Sequence, residues 1–111
     1  MYAEFIVEKV TDDGELEEVV RGSERPVLVN YYADWYVPSL RINSWLNEIV
    51  TEEKYGNAVK IVVMKIPPSP NPNYHVDRLP WTEIYKDGEV EPILPPGCAA
   101  IERELDAIGN E

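Results

Sequence analysis

The segment Pro26–Trp35, which reads Pro-Val-Leu-Val-Asn-Tyr-Tyr-Ala-Asp-Trp, decides the fold class of this chain. Residues Val27–Tyr32 form a nearly uninterrupted β-prone run, which is typical of a strand buried on both faces of a sheet. Pro38 follows closely, where a proline suits the first turn of a helix. Apolar side chains then recur with helical spacing at Ile42, Trp45, Leu46, Ile49 and Val50. The sequence therefore predicts a buried strand that is followed by an amphipathic helix, which ends at Tyr55-Gly56-Asn57.

Strand and helix patterns continue on both sides of this unit. Towards the N-terminus, Phe5–Val7 indicates a short strand, and Asp12 or Asp13 can cap a helix that ends at Gly22. Towards the C-terminus, Val59–Ile66 is a second apolar run of the kind that forms a buried strand.

The last third of the chain contains a proline-rich stretch and a hairpin pattern. Residues 67–73 hold four prolines and cannot continue a helix or a central strand, so we expect a surface loop within one domain. Asp87-Gly88 lies between β-prone stretches at 81–86 and 89–94, which predicts a hairpin. Apolar residues at helical spacing then mark a last helix that ends at Gly109: Ile101, Leu105 and Ile108.

The predicted element order is β-α-β-α-β-loop-β-β-α. A β-α-β unit requires a crossover and parallel pairing, whereas the closing hairpin is antiparallel. The sequence therefore predicts an α/β fold with a central mixed sheet of four to five strands flanked by helices. With 111 residues, we expect a single domain over residues 1–111.

Composition excludes several classes of function. The net charge of −11 repels phosphate backbones and anionic lipid, so we expect neither a nucleic-acid nor a membrane partner. Cys98 is the one cysteine, which excludes an internal disulfide. Together with the one histidine, His75, it does not make a set of metal ligands, and we expect no cofactor. Met1–Glu4 lacks the start of a signal peptide, and no apolar run is long enough to cross a bilayer. The expected location is cytoplasmic.

Acidic residues are concentrated at the start of the chain. Residues 1–24 hold eight of the 21 acidic side chains, including Glu15, Glu17 and Glu18 in the first predicted helix. A solvated helix face accounts for such a run, and so does a contact surface for a basic partner. The sequence leaves both interpretations open.

Pro26–Trp35 resembles the strand that leads into the active site of thioredoxins. In that family an alanine, an acidic residue and a tryptophan precede a Cys-Gly-Pro-Cys motif, and the corresponding positions here are Tyr36, Val37, Pro38 and Ser39. Leu79-Pro80 is similar to the family's cis-proline position, Lys86–Val90 to its final hairpin, and Gly97 to the glycine before the last helix. The resemblance implies a thioredoxin fold with a cis peptide bond between Leu79 and Pro80.

The motif positions lack the groups that thiol–disulfide exchange uses. That reaction needs a thiolate that attacks and a second thiol that resolves the mixed disulfide. Tyr36 and Ser39 stand at these two positions, and Asn30 stands where the family places a buried aspartate that moves protons. The sequence therefore predicts a redox-inactive member of the family with no catalytic residues, which is not an enzyme.

The resemblance also implies a groove that holds an extended protein segment. In thioredoxins this groove lies between the motif loop, the cis-proline segment and the glycine loop. Here it would be lined by Trp35, Tyr36, Val37, Leu79, Pro80, Trp81, Gly97 and Cys98. We therefore predict a protein-binding adaptor or an assembly or co-chaperone subunit, whose partner offers a basic or extended segment. Inward packing of some of these aromatic side chains is the competing interpretation.

Two alternative functions remain from the sequence. Cys98 follows Gly97 at the start of a predicted helix, where its pKa can be lowered, which suggests a single-cysteine thiol oxidoreductase. Residues 73–80, Asn-Tyr-His-Val-Asp-Arg-Leu-Pro, are similar to a segment of phosducin-like proteins, which suggests a chaperone cofactor.

Overall fold

The computed structural model describes residues 8–55, 58–66 and 78–109. Within these ranges, five strands and three helices follow one another in the predicted order: β1 (Glu8–Val10), α1 (Asp13–Gly22), β2 (Val27–Tyr32), α2 (Val37–Thr51), β3 (Lys60–Lys65), β4 (Trp81–Lys86), β5 (Glu89–Pro92) and α3 (Cys98–Gly109). The proline-rich stretch 67–73, the phosducin-like similarity at 73–77, His75 and the predicted strand residues Phe5–Val7 lie outside the described residues.

The strands form one mixed sheet in the order β1-β3-β2-β4-β5. The pairs β1–β3 and β2–β3 are parallel, whereas β2–β4 and β4–β5 are antiparallel. Strand β2 lies in the centre, and all six of its residues are buried. The predicted mixed sheet flanked by helices is confirmed.

The hydrophobic core is divided by the sheet into two clusters. Because side chains alternate along a strand, Leu28 and Tyr32 of β2 point to one face, while Val29 and Tyr31 point to the other. The first face is covered by α2 and α3, whose buried residues include Leu46, and we call its core the α2/α3-face cluster. The second face is covered by α1 through its buried side chains, and we call its core the α1-face cluster.

Local turn chemistry fixes several of the element ends. Asp12 is the N-cap of α1, because its carboxylate accepts a hydrogen bond from the backbone N–H of Glu15 at 2.8 Å. The hairpin turn is confirmed as well: Asp87 and Gly88 have φ values of 54° and 82°, and a two-residue turn of type I′ needs a positive φ at both positions.

Two element ends differ from the prediction. Strand β5 ends at Pro92 and not at Leu94, and Leu94 is 57% exposed in the following loop. Helix α2 ends at Thr51, before the predicted stop at residues 55–57. The chain leaves the helix because Glu53 adopts a positive φ of 53°, a conformation that a helix cannot contain.

Candidate functional site

The motif loop leads directly from β2 into α2. Tyr36 is the N-cap residue of α2, and its half-buried ring packs against the α1-face cluster. Trp35 beside it is 60% exposed and meets the Tyr36 ring edge-on, with 6.0 Å between the ring centroids. Val37 and Pro38 occupy the first turn of the helix, and Val37 is 52% exposed. The loop therefore presents Trp35 and Val37 to solvent and keeps Tyr36 partly inside.

Ser39 holds this loop together from within the core. Its side chain is fully buried, and its hydroxyl donates to the backbone carbonyl of Tyr36 at 2.7 Å. The same hydroxyl oxygen accepts the backbone N–H of Ala33 at 3.2 Å. Ser39, at the position of the second motif cysteine, therefore stabilises the turn into α2.

Asn30 lies beneath the motif loop in a buried network of uncharged groups. Its side-chain amide donates to Oδ1 of Asn43 at 2.6 Å, and its Oδ1 accepts the hydroxyl of Thr82 at 3.0 Å. All three residues are buried, so the network joins β2, α2 and β4 without any titratable group. Sequence reasoning missed Asn43 and Thr82, although Asn43 follows Ser39 by one helical turn and so faces the same side of α2.

The cis-proline segment borders the α1-face cluster. The Leu79–Pro80 peptide bond is cis, as predicted. Leu79 and Trp81 pack against the α1-face cluster, as Tyr36 does. Trp81 is half-buried, and its indole N–H donates to Glu83 at 3.1 Å while the Arg78 guanidinium lies 5.7 Å from the ring centroid.

A buried carboxylate next to Trp81 was missed in the sequence. Glu83 is only 7% exposed, and it accepts the hydroxyl of Tyr31 at 2.9 Å. Burial raises the pKa of Tyr31 well above its ordinary value, and the nearby Glu83 carboxylate raises it further. The pKa of Tyr85 is raised by the same two causes. Because side chains alternate along a strand, Glu83 lies on the same face of β4 as Trp81 and Tyr85. This alternation could have predicted from the sequence that Glu83 is buried.

Cys98 lies on the other side of the sheet from Tyr36, Leu79 and Trp81. Gly97, with a φ of 141°, turns the chain into α3, and Cys98 is the first residue of that helix. The Cys98 side chain is half-buried and packs against the α2/α3-face cluster. Burial raises the pKa of its thiol, whereas the sequence had suggested a lowered pKa, because desolvation outweighs the effect of the helix terminus. The groove predicted from Trp35 to Cys98 stays a prediction.

Two kinds of feature, a metal site and a membrane-spanning helix, are absent from residues 8–55, 58–66 and 78–109. Within these ranges no three His, Cys, Asp or Glu side chains are grouped so that they could hold a metal ion. The helices that the structure describes are too short or too polar to span a membrane.

Comparison with known proteins decides the family. The family model described as thioredoxin matches residues 7–105. The chain belongs to the thioredoxin family. It is 36% identical over 109 residues to a thioredoxin of Mycobacterium tuberculosis, with 92% of this chain and 90% of the relative covered. A thioredoxin of Thiocapsa roseopersicina is 37% identical over 84 residues, which cover 74% of this chain and 89% of the relative.

Solved structures confirm the thioredoxin fold. Mitochondrial thioredoxin 3 from Saccharomyces cerevisiae, in its oxidized form, superposes with a TM-score of 0.71 at 19% identity. The superposition covers 91% of this chain and 94% of that one. A thioredoxin of Malassezia sympodialis gives a TM-score of 0.74 at 12% identity, with 98% and 96% covered.

The relatives contradict the functional prediction made from the motif. An inactive adaptor that is not an enzyme was expected because Tyr36 and Ser39 replace the motif cysteines. The curated relatives are named thioredoxin, an oxidoreductase family, and they match across most of their own length. These comparisons therefore support a thioredoxin over an adaptor, and the phosducin-like alternative does not account for them better. The prediction failed because it was based on three positions, Asn30, Tyr36 and Ser39, whereas the similarity extends over about a hundred.

Proposed function

We propose that the protein is a thioredoxin-type oxidoreductase that takes part in thiol–disulfide exchange on protein substrates. The observation that carries the proposal is the match to the Mycobacterium tuberculosis thioredoxin over 92% of the chain at 36% identity. The exposed Trp35 and Val37 beside the α2 N-terminus support it further, because they leave a surface on which a polypeptide can be placed.

This chain needs a thiol from another molecule to complete thiol–disulfide exchange. Cys98 is the one cysteine in the sequence, so a complete cycle needs a second thiol of the low-molecular-weight or protein class. When the Cys98 thiolate attacks a substrate disulfide, one substrate sulfur bonds to Cys98 and the other leaves as a thiolate. The second thiol then attacks the substrate sulfur of the mixed disulfide, which releases the Cys98 thiolate. Another equivalent of that thiol attacks the resulting substrate–thiol disulfide, so the substrate leaves fully reduced and the second thiol leaves as its oxidised dimer. Since burial raises the Cys98 pKa, less thiolate is present at neutral pH and we expect slow exchange.

The location and the partners belong to the same proposal. A reducing compartment such as the cytoplasm keeps a half-buried single thiol in its reduced form. The substrates would be proteins with an accessible disulfide in an extended segment, because an extended segment can present its disulfide to a half-buried thiol.

Reduction of insulin disulfides tests the proposal. With glutathione as the second thiol, we expect the protein to accelerate reduction above the rate of glutathione alone, and Cys98→Ser to abolish the acceleration. The part of the rate that depends on Cys98 should rise with pH, because a raised pKa lowers the thiolate fraction at neutral pH and this fraction grows towards alkaline pH.

A matched variant distinguishes the contribution of the exposed surface from that of the Cys98 thiol. Trp35 is 60% exposed, so Trp35→Ala should leave the thermal melt unchanged and slow insulin reduction without preventing alkylation of Cys98. A wild-type rate equal to that of glutathione alone would overturn the proposal, and so would full activity in Cys98→Ser.

A further inference from the structure

Strand β5 is an edge of the sheet with backbone groups that point outward. In the part of the chain that the structure describes, its strand neighbour is β4, and all four of its residues are exposed. The two-residue turn makes Lys86 and Glu89 the first hydrogen-bonded pair of the hairpin. The next pair, Tyr85 and Val90, is therefore not hydrogen-bonded to each other, and Val90 directs its N–H and its carbonyl away from β4.

A cleft lies on the face of the hairpin that carries Val90. It has a volume of about 610 Å³ and lies, open to solvent, between α1 and the β4–β5 hairpin. Its apolar lining comes from Leu16, Val20 and Tyr85. Val90 is paired with Tyr85 in the ladder, so its side chain, which is 47% exposed, lies on the same face as this lining. A strand added to the β5 edge would place its alternate side chains on this face.

The charges around the edge and the cleft are mainly acidic. Glu89 and Glu91 are exposed on β5 itself, and Asp13 and Glu17 line the cleft. Arg21 is the only basic side chain among the described residues that line the cleft, and it is paired with Glu17. A second copy of this chain would bring like charges together, and each copy carries a net charge of −11.

We propose that the β5 edge and the cleft beside it form a docking surface for a basic, extended polypeptide segment. The backbone of the segment pairs with the N–H and carbonyl of Val90, its apolar side chains cover Val90 and the cleft, and its basic side chains meet Glu89 and Glu91. This surface makes no use of Cys98, so the inference goes beyond the proposed function and can fail or hold independently of it.

A synthetic peptide tests the surface directly. The probe is a fluorescein-labelled ten-residue peptide of alternating lysine and valine, and the control peptide has glutamate in place of lysine. Fluorescence anisotropy with the full chain should show binding of the lysine peptide and none of the glutamate peptide. Addition of salt should weaken the binding. In a titration followed by ¹⁵N–¹H NMR, the amide of Val90 should be among the strongly shifted signals.

Two pairs of variants separate strand pairing from general attraction. Val90→Pro removes the outward N–H without removing a bond to β4, and we expect it to raise the Kd at least tenfold, whereas Val90→Thr keeps the N–H and should stay within about twofold. Neutralising Glu89 and Glu91 with glutamine should raise the Kd more than neutralising Glu102 and Glu104 on α3, which changes the net charge equally.

Several outcomes would overturn the proposal. Equal binding by Val90→Pro and wild type, or equal loss from both neutralised pairs, would mean general attraction by an acidic protein. A dimer in sedimentation that Val90→Pro dissociates, without peptide binding, would make a second copy the occupant. Should Val90→Pro fail to fold, an unshifted Val90 amide in the wild-type titration would decide against the surface.

Discussion

Replacing Asn30 by aspartate should make the stability of the domain depend steeply on pH. Asn30 is fully buried, and its partners Asn43, Thr82 and Ser39 are all uncharged. A protonated carboxyl at this position can still donate to Oδ1 of Asn43, whereas an ionised carboxylate cannot, and burial also favours the neutral form. The pKa of the introduced aspartate in the folded state is therefore raised above its unfolded value of about 3.9.

The sign of the effect follows from the protons that each state binds. Below about pH 3.9 the carboxyl is protonated in both states, and the variant keeps its stability. As the pH rises towards the raised pKa, the folded state holds one more proton than the unfolded state, so the free energy of unfolding falls by about 1.4 kcal/mol per pH unit. A folded-state pKa of about 6 for the introduced aspartate would remove about 3 kcal/mol by neutral pH, which lowers the Tm of a domain of this size by roughly 12 °C or more.

Urea denaturation of Asn30→Asp and wild type between pH 4 and pH 7.5 measures the difference. Thr82→Val is the matched control, because it removes the hydroxyl that donates to Asn30 without adding a titratable group. The control should lose about 1 kcal/mol at every pH. A gap between Asn30→Asp and wild type that stays constant with pH would refute the reasoning, since the network would then accept a carboxylate.

Two further predictions concern the α2/α3 face of the sheet. Leu46 is 0% exposed, so Leu46→Ala should lower the free energy of unfolding by about 2–5 kcal/mol in urea titrations at constant m-value, and a loss below 1 kcal/mol would show that the cavity collapses. The hydroxyl of Tyr55 donates to Asp106 at 2.7 Å, and burial together with this carboxylate raises the pKa of Tyr55 to about 12. The folded state then retains a proton that the unfolded state loses above pH 10, so stability falls between pH 10 and 12, and Tyr55→Phe should lessen that fall.

Features that depend on neighbours in sequence could be predicted. The apolar run of β2, the helical spacing of α2 and the Asp87-Gly88 turn gave the element order and the mixed sheet, because periodicity and turn conformation are local properties of the chain. The cis bond at Leu79–Pro80 came from a family resemblance and was confirmed. The function was predicted wrongly from the same local information, since three substituted positions, Asn30, Tyr36 and Ser39, were given more weight than similarity along the whole chain.

Other features were decided only when distant segments came together. Asn30 and Thr82 are 52 residues apart, and they meet because the β2–β4 register places them opposite each other. Tyr31 and Glu83 are also 52 residues apart, and their contact explains why a carboxylate can be buried in β4. The face on which Cys98 packs depends on how α3 crosses the sheet, and this packing, not the helix terminus, raises the pKa of its thiol. Composition and spacing determine which helices and strands form. Strand register and helix placement determine which polar groups are buried next to each other, and these groups must then form hydrogen bonds with one another because they no longer contact water.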